Sequence, residues 1–514
     1  MTSRAFSIHG SGPRTTRRAA AGAALALAAV WLTASCSREE QPAAPTLAAH
    51  EVSQPEGWDA DLKLKVAEDI NPDPHVVEIN LEAKIAEVEI LPGIKSKIWT
   101  YNGSLPGPMI VANVGDKLIV HFKNSLPEET TIHWHGLRVP NNMDGAPGLT
   151  QDPIPSGGEF RYEFTLPDAG TYWYHPHVNS SGQVGRGLYG AILIKDPKDL
   201  KVFGDDLVLV VSDMSLDDKG QLLPQDNGGK FGDLFGREGN TLLVNGKVVP
   251  TLKVRQGKQQ RWRIINASRA RYFSVRLHNH RFMRLGGDNG LAERSEDVYS
   301  LLVTPSERAD AVFTPANAPG TIDMMRWSPT DRGYGSVFNR APEDMLKIVT
   351  VNEPPVTPEP IPEHLRDIEP IDIKGATERT MELTINLDNN DVVMGINGVP
   401  YGQDKPFEAK VGETQVWHVI NHTDFAHPFH LHGFFFQVLD PTRVPEWKDT
   451  INVPVDSQVD LAVHFDDRPG MWMLHCHILD HADVGMMGHL HVAPREGEAL
   501  SDTAAQSHQH TAQP

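Results

Sequence analysis

One spacing occurs three times along the chain. Asn102-Gly103 is followed by Gly115-Asp116 and Asn124, Asn245-Gly246 by Gly257-Lys258 and Asn266, and Asn397-Gly398 by Gly412-Glu413 and Asn421. The step from the later glycine to the closing asparagine is nine residues in every copy. The stretches between also match: Lys117-Leu118-Ile119-Val120-His121-Phe122, Arg261-Trp262-Arg263-Ile264-Ile265 and Gln415-Val416-Trp417-His418-Val419-Ile420. A chain with such a period builds one supersecondary unit repeatedly, and Asn-Gly marks the tight turns of hairpins. Period-2 alternation identifies the unit as β. Val77, Ile79, Leu81, Ala83 and Ile85 alternate with polar residues, as do Phe160, Tyr162 and Phe164, then Met381, Leu383, Ile385 and Leu387, and finally Val459, Leu461, Val463 and Phe465. This is the pattern of strands with one face on a core. No long segment carries helical periodicity. A length of 514 residues fits about three domains, and Gly 43 with Pro 39 fits turn-rich β structure. The expected fold is all-β: three consecutive Greek-key β-sandwich domains at 76–198, 199–352 and 371–493, with a Pro/Glu-rich linker at 353–370 and a polar tail at 494–514.

The N-terminus reads differently. Arg14, Arg17 and Arg18 precede an uncharged Ala/Leu-rich stretch from Ala19 to Ser35. A basic region, a short apolar core and small residues after it make residues 1–36 an export signal rather than a membrane helix. Thr16-Arg17-Arg18 resembles a twin-arginine signal, the route of proteins exported already folded around a cofactor. Thr33-Ala34-Ser35-Cys36 resembles a bacterial lipobox, with Thr33 where an aliphatic residue is usual. Cys36 is then a candidate for lipidation and membrane attachment, with 37–75 as a flexible segment. The expected location is the periplasm or cell envelope rather than the medium. A net charge of −20 excludes nucleic acid as a partner. Two cysteines make no disulfide framework, so Cys476 stays unpaired in an oxidising compartment and calls for a reason.

The histidines supply one. Four short segments hold 10 of the 24: His133-Trp134-His135-Gly136, His175-Pro176-His177, His427-Pro428-Phe429-His430-Leu431-His432-Gly433, and His475-Cys476-His477, which continues to His481 and Met486. Residues i and i+2 of a strand share a face, so each His-x-His presents two imidazoles together. Imidazole suits copper, zinc and iron, whereas one thiolate with two imidazoles and a weak thioether is the blue-copper set. On an extended segment the Cys476 sulfur points away from His475 and His477. One copper can therefore bind the thiolate while the flanking imidazoles bind a separate cluster, a few covalent bonds away.

With these segments the sequence resembles the multicopper oxidases, in particular their three-domain, laccase-like bacterial branch, over residues 76–493. The resemblance implies cupredoxin-like sandwiches and four coppers per chain. His427, Cys476 and His481, with Met486 as weak axial ligand, would bind the type 1 copper. His133 and His430 would hold the type 2 copper. His135, His175, His177, His432, His475 and His477 would hold the type 3 pair. The cluster then lies between the first and third domains, and the middle domain is a spacer. A small reducing substrate would deliver electrons singly through the exposed edge of His481. They would pass through Cys476 to His475 and His477, and dioxygen would be reduced to water. A methionine axial ligand implies a low to moderate potential. Asp144, in Met143-Asp144-Gly145, matches a carboxylate that the family places by the cluster, for proton delivery or ligand orientation; Asp-Gly is also a turn former. Bacterial relatives carry an acidic proton relay directly after the blue-copper histidine. Here that place is Ala482, flanked by Asp480 and Asp483.

Other histidines read as structural. His278 with His280 and His489 with His491 are expected on strand faces, His508 with His510 in the polar tail, and His418, His422 and His464 match no ligand position. For function, a laccase-type oxidase of phenols or other small aromatic reductants leads. A metallo-oxidase acting on Cu(I), Fe(II) or Mn(II) follows, weakened for Cu(I) because residues 353–380 hold no methionine. A non-enzymatic copper store or scaffold is disfavoured by the filled ligand positions. A two-domain copper nitrite reductase is disfavoured by the third sandwich.

Overall fold

The computed structural model describes residues 62–497 except 201–204, 331, 334–339 and 389–390. The export signal, Cys36, most of the segment that follows it, and the tail with His508 and His510 lie outside the described residues. Three two-sheet sandwiches follow one another, with sheets of four and four, six and five, and five and five strands. In each, the opening strand pairs in parallel with the strand that follows the repeated glycine. These pairs are Val76–Leu91 with Lys117–Asn124, Asp205–Met214 with Gln260–Asn266, and Thr377–Asp388 with Thr414–Asn421. Parallel neighbours cannot be joined by a hairpin. The intervening chain therefore turns at Asn-Gly and crosses to the second sheet, which produces the Greek-key connection.

The repeated residues do the same work three times. Asn102, Asn245 and Asn397 sit at φ 50–55° and the following glycines at 75–78°, as a type I′ turn requires. Each asparagine side chain clasps the opening strand. Asn102 Oδ1 accepts from the Glu82 amide and Nδ2 donates to Asn80, and the pairs Val210/Val208 and Glu382/Thr380 repeat this for Asn245 and Asn397. The closing asparagines are buried. Nδ2 donates to Glu128 and Ile154 carbonyls from Asn124, to Arg271 and Val303 from Asn266, and to Phe425 and Val453 from Asn421. Asn266→Ala removes the Nδ2 donor that bridges the buried Arg271 and Val303 carbonyls. It is expected to cost about 1–3 kcal/mol, read as a lower urea midpoint for the middle sandwich.

Each sandwich has its own apolar core, and a fourth cluster joins the first to the second through Ile90, Leu91, Trp173, Tyr189, Val210 and Ile265. The first strand serves two of these. Ile79, Leu81 and Ala83 enter the first core, whereas Ile85 is exposed and Ile90 and Leu91 enter the inter-domain cluster. Alternation over Val77–Ile85 does not reveal that hand-over, because it depends on what packs against the strand's far end. Helices among the described residues are short: Ser180–Val184, Gly229–Phe235 and Leu479–Val484.

Candidate metal centre

Strand register assembles the histidines. In the first sandwich His133 lies opposite His175, and His135 opposite Trp173. In the third, His430 lies opposite His475, whereas Phe429 and Leu431 oppose Cys476 and Leu474. Opposed residues share a face. His430 and His475 therefore turn toward the first sandwich, while Cys476 turns into the third core beside Trp472 and Leu474.

His133, His135, His175, His177, His430, His432, His475 and His477 converge between the first and third sandwiches, all buried. His133 stacks on His432 with ring centroids 3.8 Å apart, and His135 on His430 at 3.9 Å. The Nε2 atom of His475 lies 3.1 Å from that of His432 and 3.4 Å from that of His177. Two atoms each about 2.0 Å from one ion at a tetrahedral angle stand roughly 3.3 Å apart, so this spacing fits a shared metal. His133 and His430 are arranged alike. Each donates Nδ1–H to a backbone carbonyl, of Asp144 and Asp449 respectively, both at 2.9 Å. Both Nε2 atoms are left buried without a partner, as is that of His175. Burial, then neighbouring imidazoles, hold His175, His177, His432, His475 and His477 well below the ordinary histidine range, so they stay neutral with a lone pair to offer.

A second constellation lies on the core side of the same strand. Cys476 Sγ is 3.4 Å from His427 Nδ1 and 3.8 Å from His481 Nδ1, and the two Nδ1 atoms are 3.2 Å apart. With metal–sulfur bonds near 2.3 Å these edges also fit one ion. Thr423 Oγ1 meets His427 Nε2 at 2.8 Å, fixing that ring. Met486 is buried in the same core; its carbonyl accepts the Cys476 amide and its amide donates to the His481 carbonyl. Burial pushes the Cys476 thiol up to about 12, and the thiol is free of any disulfide.

Asp144 caps a 3-10 turn, Asn141–Met143, and Gly145 beyond it has φ 83°. It also touches the cluster: Oδ2 accepts Nδ1–H of His432 at 2.8 Å, and its own carbonyl accepts that of His133. Burial opposes its ionisation, yet His432 and His133 hold its carboxyl well below the usual range.

Sequence reasoning missed the opposite flank. Asp449 Oδ1 lies 3.2 Å from His135 Nε2 and accepts Arg308 Nη1–H at 2.9 Å, while Nη2 pairs with Oδ2. Arg308 belongs to the middle sandwich, so that domain is more than a spacer. The Arg308–Asp449 pair passes directly over Gly136, at φ 84°, where a Cβ would sit 2.5 Å from Arg308 Nη2. This is why the first histidine segment ends in glycine. The sequence signal was a charged pair, Arg308 and Asp310, inside an otherwise apolar strand.

The expected exposed edge of His481 is corrected. His481 is 0% exposed, because the Gly229–Phe235 helix of the middle sandwich lies over it and the Leu234 carbonyl accepts Nε2–H at 3.0 Å. From that helix an aromatic row leads outward. Phe425 meets the His481 ring edge-on at 6.4 Å, Phe235 meets Phe425 at 5.4 Å, and Phe231 stacks on Phe235 at 6.0 Å and 4°. Phe231 is 67% exposed.

Around Ala482, Asp480 is tied to Arg237, Arg269 and Ser181. Asp483 accepts the Ser181 amide at 2.9 Å, and burial pushes its carboxyl up to about 7. His278 and His280 lie in a turn, not on a strand face, and His280 pairs with Asp323. His418 pairs with Asp460, and His464 with Thr414. His489 and His491 do lie on a strand, Met487–Ala493.

Paired soft and imidazole ligand sets, shared by the outer members of a sandwich triplet, define a copper redox protein. Profiles described as multicopper oxidase match residues 82–199, 205–339 and 371–496. The chain is 31% identical to a multicopper oxidase of Staphylococcus aureus over 80% of its length and 88% of that protein's. It is 28% identical to a laccase of Bacillus subtilis over 76% of its length and 89% of that protein's. Among solved structures, a Campylobacter jejuni multicopper oxidase described as a metallo-oxidase superposes with a TM-score of 0.75 at 31% identity, over 84% of this chain and 94% of that one. The chain belongs to the multicopper oxidase family. It is a copper-dependent oxidoreductase with dioxygen as acceptor, and the family complement is one type 1, one type 2 and two type 3 coppers.

Proposed function

We propose that the protein is an exported, laccase-type oxidase of small phenolic or aromatic reductants. The aromatic row from exposed Phe231 to His481 carries this reading, since it offers a planar donor a stacking surface in line with the buried thiolate site. Four phenols give up four electrons and four protons as phenoxyl radicals, and these convert one dioxygen to two waters. Bound copper supplies the electron acceptor beside Cys476 and the oxygen chemistry at the histidine cluster.

In this reading His427, Cys476, His481 and Met486 would hold the type 1 ion, and His133 and His430 would hold the type 2 ion. His135, His175, His177, His432, His475 and His477 hold the type 3 pair. Cys476 joins the two sites through its own peptide bonds to His475 and His477. Asp144 keeps the proton of His432 on Nδ1, which leaves Nε2 free as a ligand. Its Oδ1 has no hydrogen-bond partner but lies 3.4 Å from His133 Nδ1, so the ionised carboxylate orients both rings and sets a fixed negative charge beside the cluster. The Arg-containing leader and Cys36 support export to the cell envelope with lipid attachment.

The test compares oxygen uptake by the copper-loaded protein with a phenolic donor, Cu(I) and Fe(II) side by side. Turnover with metal ions alone overturns the phenolic reading, and four bound coppers without uptake from any donor overturns the oxidase itself. Phe231→Ala is expected to raise KM for a phenol about five-fold, from loss of roughly 1 kcal/mol of ring stacking. It should leave kcat/KM for ferrocyanide unchanged.

A further inference from the structure

The loop between Ile322–Ser328 and Glu343–Thr350 carries a buried cation, Arg332, from the middle sandwich to the thiolate site of the third. Arg332 is fixed there at both ends. Its carbonyl accepts the amide of Ala426, the residue before His427, at 3.0 Å. Gly333, at φ 100°, lets the loop press on the same segment, because a Cβ there would sit 1.9 Å from the Asp424 carbonyl. The guanidinium reaches the other side of the site. Nη1 donates to the Ala270 carbonyl at 2.8 Å and Nη2 to the Phe235 carbonyl at 3.2 Å. Ala270 belongs to the core cluster of Cys476 and Met486, and Phe235 follows Leu234, whose carbonyl takes Nε2–H of His481. Cζ stands 5.1 Å from the centroid of the Tyr272 ring, another member of that cluster.

Only part of this charge is cancelled locally. Glu238 accepts Arg332 Nη2 at 2.8 Å, but it also receives Arg271 at 3.1 Å and stands 3.6 Å from Arg340, so one carboxylate serves three guanidiniums. Asp480, the acidic residue before His481, is already paired with Arg237 and Arg269. A guanidinium stays charged at every working pH, and the field of a buried charge is weakly screened. Its reach is visible on the ligands. Burial is the first cause of the raised Cys476 thiol and of the lowered His427 and His481 imidazoles. On all three the Arg332 charge acts in addition, toward the thiolate and the neutral rings. A group that favours a thiolate also favours an added electron, because each is a negative charge placed near a fixed positive one.

We propose that Arg332 raises the reduction potential of the type 1 site, as a buried positive charge that stabilises the ligand set when it holds one more electron. The effect offsets the low to moderate potential that a methionine axial ligand implies, and it rests on the assignment of His427, Cys476 and His481 to that ion. Arg332→Met keeps an unbranched side chain in the loop and leaves Glu238 with Arg271 and Arg340. The copper-loaded protein is equilibrated without oxygen in mixtures of ferricyanide and ferrocyanide, and the blue absorption is followed. The methionine variant is expected to be half-bleached at a ferricyanide-to-ferrocyanide ratio at least about ten-fold lower than wild type, a fall of about 59 mV for one electron. Arg332→Lys restores the charge without the clasp on two carbonyls, and should return to within about three-fold of wild type. Glu238→Gln removes the shared carboxylate and should move the ratio upward; that sign decides if Arg332→Met binds no blue copper. A wild-type ratio in fully loaded Arg332→Met, a lysine variant as low as the methionine one, or a downward shift in Glu238→Gln overturns the proposal. Loaded wild-type protein without a blue band would instead overturn the type 1 assignment.

Discussion

Replacing Cys476 with serine is expected to abolish the blue absorption and bring donor-driven oxygen uptake to background, with bound copper falling by one ion per chain. Sγ lies between two Nδ1 atoms at 3.4 and 3.8 Å in a fully buried pocket. The blue colour arises from charge transfer out of a thiolate, and a hydroxyl has neither the softness nor the acidity to replace it. Burial already pushes the thiol up to about 12, so the metal must displace a firmly held proton even in the wild type. Serine is close in volume, and its hydroxyl can take the Ile478 amide that now points at sulfur. The fold should survive with a cost of about 1–3 kcal/mol. Absorption spectra, copper analysis and unfolding midpoints on one preparation separate loss of the site from loss of the fold. A Cys476→Ser protein that remains blue would refute the assignment.

Arg308→Met is the second large effect, and it tests a residue of the domain that supplies no ligand. The Arg308 side chain is 1% exposed, pairs with both oxygens of Asp449, and donates to the carbonyls of Thr171, Ser306 and Asp288. Removing it strands the Asp449 carboxylate, whose ionisation burial opposes and which Arg308 holds well below the usual range. Breaking one side of a buried pair costs about 3–5 kcal/mol. Asp449 in turn touches His135 through Oδ1 and His430 through its carbonyl. The variant is therefore expected to lose type 2 copper first, seen as a weakened type 2 signal in electron paramagnetic resonance while the blue band persists. The double variant Arg308→Met/Asp449→Asn should lose less stability than the two singles summed, because the stranded charge is gone. Full type 2 occupancy in Arg308→Met would show that Arg308 serves the domain interface alone.

Much of this is legible in the sequence. The Asn-Gly and Gly-to-Asn spacing stands for backbone tasks that few residues perform: positive φ at a hairpin turn, and one side chain bridging two buried carbonyls. Local chemistry of that kind leaves a fixed spacing wherever the unit recurs. That Cys476 faces away from His475 and His477 follows from period 2 alone. His278 and His280 leave the strand face because a turn interrupts the strand where the sequence continues its alternation. Asp449 and Arg308 were not marked, since their significance lies in a pairing across two domains that leaves no common spacing.

The sequence by itself determined the repeated sandwich and the grouping of the imidazoles and the thiol, because both depend on contacts close along the chain and on strand periodicity. Tertiary structure alone decided what surrounds those groups. It laid the Gly229–Phe235 helix over His481, drove Arg308 behind the cluster, and brought Arg332 of the middle sandwich to the Ala426 amide of the third. Each of these juxtapositions joins residues from different strands or domains, and their contact is set by how the elements pack.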